Sequence, residues 1–453
     1  MAKVDSLKER RSLPRTPAPF PTEVSPGIMG ETVNLSETGL CLALEKPLIF
    51  SRIISFQINL PFSKPLESHG ELIWTRDFAK NDRYLCGVQF LRLNDDKVSI
   101  LREAIFKFKF LNTDFISLTK NLRFSLLNLK KRFDQFDAAN KREEKRIKFV
   151  EKNKPQVYAK LTEYFNSLWE IVKDFHGEKY ILHQRYCQKM LWYLLHEVVE
   201  INRYIRQKPL GYDGDFIIMN YFYDFYNKYL GDSSYEMLIN SYTCNIPIAS
   251  SVVKRKNFLK QKILEALKLK EPVRILSVGS GPVRELIELV QEGKITKLLY
   301  FDCLDFDKKA LDYVRKEVEK IEPGKRLYLH LRLINKNLLD LIRVKGIEQE
   351  PKKYNFIYSA GVLDYLPNRF ASRMLTTLYK FLDSKSILVI CNADKNFATH
   401  RMYYEVLGKW VLKYRTKDEL LKWAEDIQDA KEIKFENLGE KNPFLFLSLK
   451  KPS

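Results

Sequence analysis

Apolar and polar positions follow two different periods along this chain, and the change of period divides it. Near the start, short alternating runs (Ile53 to Leu60, Gly70 to Trp74) precede Cys86-Gly87-Val88-Gln89-Phe90, all bounded by Pro, Gly and Asn. That pattern predicts a small antiparallel β-barrel. Helical spacing follows, with Leu122, Leu126, Leu129 and Phe133 on one face. Long Leu-, Tyr- and Phe-rich helical patterns then run from residue 155 to 265. Beyond them, five short apolar segments alternate with helical stretches: Ile275 to Val278, Leu298 to Leu304, Leu327 to Ile334, Tyr354 to Ala360 and Ser386 to Cys391. Strands alternating with helices indicate a doubly wound, mostly parallel α/β sheet, with a ligand above the carboxyl ends of its strands. The expected organisation is multidomain: a barrel over 1–110, a basic helical connector over 111–155, a helical lid over 156–265 and the α/β domain over 266–453.

The first α/β strand runs into Ser277-Val278-Gly279-Ser280-Gly281-Pro282. Strand, glycine turn and helix in that order present backbone N–H groups to a nucleotide-like ligand. Gly279 and Gly281 tolerate positive φ and close backbone approach, and Pro282 suits the first helical position. Arg284 stands where a dinucleotide fingerprint has its third glycine, and no Gly-Lys-Ser/Thr follows, so the turn is neither that fingerprint nor a P-loop. The second strand ends in Asp302-Cys303-Leu304-Asp305-Phe306-Asp307. Its separation from the turn suits a carboxylate that holds a ribose. Asp305 is the candidate for that role, and Asp302 and Asp307 are expected to be structural.

These residues resemble the class I S-adenosyl-L-methionine-dependent methyltransferases. The resemblance implies that Gly279, Ser280 and Gly281 cradle the methionine end of the cofactor and that Asp305 holds the ribose. It also implies that Asn337, after the third strand, lies by the adenine and that Ser359 belongs to the site. Ser277 departs from the acid that many members carry there. Two further strings, Lys208-Pro209-Leu210-Gly211-Tyr212-Asp213-Gly214-Asp215 and Tyr358-Ser359-Ala360-Gly361-Val362-Leu363-Asp364-Tyr365-Leu366, narrow the likeness. With Met402, Glu405, Trp410 and Tyr414-Arg415-Thr416, they resemble the bacterial methyltransferases associated with 3-hydroxypalmitic acid methyl ester, the extracellular-factor type. That likeness spans roughly residues 155 to 450. It implies methylation of a small or lipidic carboxylate, with Tyr212 and Asp215 closing over the cofactor.

Transfer of a methyl group from a sulfonium to a carboxylate is an in-line displacement governed by proximity and orientation. The acceptor is already ionised at neutral pH, so no general base is required. An apolar slot and a cation that positions the carboxylate are required. His400, Arg401, Tyr403, Tyr404 and Arg415 are candidates for the carboxylate, and Phe397, Tyr403, Tyr404 and Trp410 for the slot.

The first residues carry Arg10, Arg11 and Arg15, followed by Asn34-Leu35-Ser36-Glu37-Thr38-Gly39. An R-x-x-x-R pair before N-x-S-x-x-G, with a barrel-like pattern after it, resembles the PilZ domain, which binds cyclic di-GMP. The resemblance implies that Arg11 and Arg15 grip phosphates and guanine edges, a task suited to planar, bidentate guanidinium groups. Arg10 assists, Asn34 and Ser36 bond the ligand from the barrel face, and Gly39 lets the chain bend.

Charge and cysteine usage change the picture little. The chain of 453 residues has a formal net charge of +20. Residues 101 to 155 hold fifteen Lys or Arg against seven Asp or Glu, so that stretch either packs against a domain or rests on an anionic membrane surface. The basic residues are otherwise dispersed and no nucleic-acid motif appears, so nucleic acid is not the expected partner. Six scattered cysteines without metal spacing, no apolar leader and no run long enough to span a bilayer suggest a cytoplasmic protein without a metal. Two other readings stay open: a non-catalytic cyclic di-GMP effector, which Ser277 favours, and an RNA or protein methyltransferase.

Overall fold

The computed structural model describes residues 15–48, 52–78, 83–343, 353–397, 401–436, 438–439 and 442–453. Strands β1 (Pro21–Val24), β2 (Ile28–Leu35), β3 (Gly39–Leu44), β4 (Ile53–Ile58), β5 (Leu66–Phe78) and β6 (Arg83–Phe90) form a closed antiparallel barrel in the order β1-β2-β3-β6-β5-β4. Alternation does what the sequence predicts. Ile54, Phe56 and Ile58 of β4 point inward, and Ile53 between barrel and solvent is exposed. Helix α1 (Asp95–Phe108) starts at an Asn94 cap and sets Phe108 edge-on against Phe20, with ring centroids 5.4 Å apart.

Three long helices, α2 (Thr113–Ala139), α3 (Glu143–Val172) and α4 (Gly177–Trp192), and the short α5 (Glu200–Gln207) follow. Then come α6 (Phe216–Phe225), α7 (Ser234–Asn245) and α8 (Pro247–Ala266). The chain divides into two compact units, one of residues 1–139 with 155–198, the other of 140–154 with 199–453. The first unit joins the barrel to α2 and α4, and the second joins the helices after Val198 to the sheet. Leu122, Leu126 and Phe133 of α2 are fully buried in the first unit, and the Arg123 guanidinium reaches Glu31 of the barrel at 3.3 Å. A helix with that much apolar surface packs instead of linking. The expected lid is likewise divided, at Val198.

The second unit is built on β7 (Val273–Val278), α9 (Arg284–Gln291), β8 (Leu299–Asp305), α10 (Lys308–Glu319), β9 (Leu329–Asn335), α11 (Leu338–Arg343) and β10 (Tyr354–Ala360). It continues with α12 (Asn368–Lys380), β11 (Leu382–Ala393), α13 (Lys417–Trp423), β12 (Glu432–Glu436) and β13 (Phe444–Lys450). The seven strands lie in the order β12-β13-β11-β10-β7-β8-β9, and all run in one direction except β13, which is antiparallel to both of its neighbours. From β7 the chain steps outward to β8 and β9, then returns to β10 on the other side of β7. That reversal is the topological switch point of a doubly wound sheet, where ligands bind outside the carboxyl ends of the strands. Central strands buried on both faces are nearly continuous in apolar residues, as Val273–Val278 and Tyr354–Ala360 are. The fold class expected from the sequence, a small barrel, helices and a doubly wound α/β sheet, is the one observed.

Candidate functional site

At the switch point, Gly279 and Gly281 adopt φ of +63° and +56°. A Cβ on Gly279 would lie 2.6 Å from Val362 Cγ2, so the position admits no side chain, whereas one on Gly281 would meet open space. The turn is braced from β8. The Gly279 N–H donates to the Leu304 carbonyl at 2.8 Å, and the Gly281 N–H donates to Asp305 Oδ2 at 2.8 Å. The other carboxylate oxygen of Asp305 accepts from the Asp307 N–H at 2.9 Å. Burial raises the pKa of Asp305, and these backbone donors oppose the rise. Pro282 does not open the helix: Val283 takes a left-handed conformation (φ 45°, ψ 43°) and α9 begins after it, at Arg284. A β-branched residue at positive φ is strained backbone, held by the fold around it.

The turn floors a cavity of about 560 Å³ within the second unit. Its walls are rich in aromatic rings. Trp410 stacks on Phe222 with a 7° interplanar angle, meets Tyr404 edge-on, and donates from Nε1 to the Tyr365 hydroxyl at 2.8 Å. Asp213, Glu285, Asp305 and Asp364 bring carboxyl groups to the lining. Ser280 also lines it, and among the described residues its buried hydroxyl has no hydrogen-bond partner.

The residues singled out in the sequence divide into two groups. Gly279, Ser280, Gly281, Asp305, Asn337 and Tyr212 all line this one cavity. Asn337 does so while its side chain accepts from the Leu339 N–H at the start of α11, and the Tyr212 hydroxyl donates to Asp307 Oδ2 at 2.6 Å. Asp215 and Ser359 are not among the lining residues. Asp215 is the N-cap of α6, accepting from the Ile217 and Ile218 N–H groups and from the Tyr204 hydroxyl. Ser359 sits within β10, where alternation sends Tyr358 and Ala360 to the cavity and Ser359 the other way. Asp302 and Asp307 are structural as expected: the first pairs with Arg332 and accepts from Tyr354, and the second caps α10.

The acceptor candidates fare differently. Arg401 pairs with Glu405, and Arg415 spends its guanidinium on the Leu363 and Leu366 carbonyls and the Asn392 and Asn368 side chains. The Tyr403 hydroxyl is engaged with Asn202 and Thr243. Tyr404 and Trp410 line the cavity, whereas Phe397 and Tyr403 do not. His400 lies outside the described residues.

Three charged lining residues had not been expected. Glu285 on α9 is 5% exposed and accepts from the Tyr358 hydroxyl, and burial raises its pKa. Asp364, after β10, accepts from the Ala393 N–H at 2.6 Å, and burial pushes its pKa up to about 7 against the pull of Arg255 and Arg415. Arg255 on α8 completes the group. Arg255 and Glu285 have no sequence signal, because a charged residue on an amphipathic helix reads as solvated until the tertiary fold covers it, whereas Asp364 stood in the Tyr358–Leu366 string without a role assigned to it.

In the first unit, Arg15 Nη1 donates to Asn34 Oδ1 at 3.2 Å, and Thr16 and Leu35 exchange backbone hydrogen bonds that tie the segment to β2. The structure thus brings together the two ends of the arginine and N-x-S-x-x-G motifs. Ser36 donates from Oγ to the Gly39 carbonyl at 3.1 Å. Gly39 serves close approach and not a bend, since a Cβ there would lie 2.5 Å from the Val88 carbonyl oxygen of β6. Arg10 and Arg11 lie outside the described residues.

The two units thus define a β-barrel with a basic and amide-bearing rim motif, and a doubly wound α/β domain with a cavity at its switch point. Residues 9–107 match the family model of the PilZ domain, and the amino-terminal barrel is a PilZ domain. No curated protein matches the chain. Among solved structures, a "possible exported protein" from Bordetella parapertussis is 13% identical, over 48% of this chain and 73% of that one, with a TM-score of 0.39. Magnesium protoporphyrin IX methyltransferase (ChlM) from Synechocystis PCC 6803, solved with S-adenosylhomocysteine, is 14% identical over 56% and 100%, with a TM-score of 0.36. The N-methyltransferase NodS from Bradyrhizobium japonicum WM9 is 14% identical over 46% and 90%, with a TM-score of 0.31. Likeness at this level carries no argument about activity, which rests on the cavity itself.

Proposed function

We propose that this protein is an S-adenosyl-L-methionine-dependent methyltransferase with a cyclic di-GMP-binding module, and that it esterifies the carboxylate of a small or lipidic acid such as a 3-hydroxy fatty acid. One observation supports this most: the cavity lies over the β7–β10 switch point, on a turn where the Val362 side chain leaves no room for a Cβ at Gly279. The residues present suit the cofactor. The Gly279, Ser280 and Gly281 N–H groups are bonded to β8, so the turn offers the methionine end close backbone approach and the Ser280 hydroxyl, which has no partner among the described residues, while Asp305 takes the ribose and Asn337 the side of the adenine. Ser277 replaces an acid, yet Glu285 brings a carboxyl into the same cavity and in this reading faces the cofactor's ammonium. When bound, the cofactor supplies a methyl group on a sulfonium. Aromatic faces and carboxyl groups in the lining favour that cation. The remaining task of the chain is to exclude water and hold the acceptor oxygen in line.

Calorimetry with S-adenosylmethionine on the full chain tests the cofactor, and an absence of binding refutes it. Comparison of lipid extracts from cells with and without the protein tests the acceptor, through a methyl ester heavier than its acid by one methylene. In the PilZ domain, Arg15, Asn34 and Ser36, with Arg10 and Arg11, are assigned to cyclic di-GMP. If saturating cyclic di-GMP leaves turnover unchanged, the dinucleotide does not regulate the enzyme.

A further inference from the structure

We infer that Arg255 is the anion anchor of this cavity, binding the carboxylate of an amphiphilic acid that serves as the methyl acceptor. The inference rests on the methyltransferase reading. Among the described residues, Arg255 is the one cation in the cavity lining. It is 8% exposed; the groups against it are the Met219 sulfur at 3.7 Å, the Tyr223 hydroxyl and the Cys391 thiol, with the Asp364 carboxyl close enough to favour its charge. Among the described residues it forms no salt bridge. A guanidinium offers five N–H donors in a fixed fork. Burying one without an anionic partner carries a heavy desolvation penalty. The two nearby carboxyl groups, Glu285 and Asp364, relieve this only partly: neither makes a salt bridge to Arg255, Glu285 accepts from the Tyr358 hydroxyl and Asp364 from the Ala393 N–H.

Position supports the assignment. Nη1 of Arg255 lies 2.8 Å from where a Cβ on Gly361 would stand, so the bare glycine after β10 makes room for the guanidinium at the switch point. Along α8, Ile248, Val252, Arg255 and Leu259 face the cavity in one stripe, three apolar residues and one cation. The Arg255 guanidinium also sits 5.2 Å from the centroid of the Phe444 ring. A charge set in an apolar stripe complements an acid head on an apolar tail. The cations on the late segment are committed elsewhere, Arg401 to Glu405 and Arg415 to backbone carbonyls.

The chemistry balances. One carboxylate oxygen stays on the fork while the other attacks the methyl group. An O–CH₃ bond forms, the S–CH₃ bond breaks, and its electron pair returns to sulfur. The ester is neutral, so the product loses its charge-assisted hold on Arg255, which favours release.

The test uses the full chain, S-adenosylhomocysteine, and straight-chain acids from octanoate to hexadecanoate beside their alcohols, with affinities read with and without S-adenosylhomocysteine. Wild-type protein should prefer an acid to its alcohol by tenfold or more. Arg255→Met should abolish that preference, Arg255→Lys should retain part of it, and both should bind S-adenosylhomocysteine within about threefold of wild type, which also certifies the fold. Two results overturn the inference: an acid preference that is missing in wild type or survives in Arg255→Met, and a tenfold loss of S-adenosylhomocysteine affinity in Arg255→Met, which would assign the anchor to the cofactor's carboxylate. Failure of wild type to bind S-adenosylhomocysteine refutes the cofactor reading alone, because the acid arm is also measured without it.

Discussion

The Asp305 carboxylate accepts a hydrogen bond from the Gly281 backbone N–H at 2.8 Å, so the acid that ends β8 also holds the shape of the turn that ends β7. Two features separated in the sequence are one physical unit. A hydrogen bond to a charged group contributes about 1.5–3 kcal/mol. Asp305→Ala is therefore expected to lower S-adenosylmethionine affinity by tenfold or more and to loosen the turn, read by calorimetry and by amide exchange at Gly281. Unchanged affinity would show that neither role matters for the ligand.

Gly279 and Gly281 should not respond alike to alanine. Both pay for positive φ, roughly 1–2 kcal/mol, but only at Gly279 does the new Cβ collide with Val362. Gly279→Ala is expected to cut both stability and cofactor affinity. Gly281→Ala should be milder in both, and Gly281→Arg should keep the fold and block the cavity. Equal melting temperatures for the two alanine variants would contradict this account.

Asp215 separates a capping role from a ligand role. Losing an N-cap costs about 1 kcal/mol, so Asp215→Ala should lower the melting temperature by a few degrees while S-adenosylmethionine affinity stays near wild type. A large loss of affinity at unchanged stability would restore Asp215 to the site.

The buried Asp364 carboxyl gives stability a pH dependence of definite sign. Its pKa is raised to about 7 in the folded protein, above the ordinary carboxylate value, so the native state binds the extra proton between the two. Its contribution is complete below the unfolded pKa, and stability falls as pH rises through the folded pKa. Asp364→Asn, which can keep the acceptor for the Ala393 N–H, should flatten the decline between about pH 4 and pH 7, by an amount on the order of a kcal/mol per pKa unit. Urea unfolding of both proteins across that range checks it, and parallel profiles would refute it.

Arg15 and Asn34 are 3.2 Å apart on the PilZ domain. Arg15→Ala and Arg15→Lys are both expected to weaken cyclic di-GMP binding by tenfold or more, because Lys lacks the planar fork. Neither should alter S-adenosylmethionine affinity. Calorimetry with each ligand on each variant decides the point.

Much of this molecule was written locally in its sequence. The barrel strands, the glycine turn, the acid at the end of β8 and the cap at Asp307 depend on φ tolerance, alternation and hydrogen bonds between residues close in the chain. Such signals survive without knowledge of the fold. The limits of the compact units, the left-handed Val283 and the burial of Arg255, Glu285 and Asp364 depend instead on which surfaces meet. Arg255 shows the difference most clearly. On α8 it is one basic residue among several, and Lys256 and Lys260 beside it reach Glu288 on a more open face. Only the packing of α8 across β10, with a glycine at position 361 to admit the guanidinium, turns that residue from a surface charge into a cation of the cavity wall.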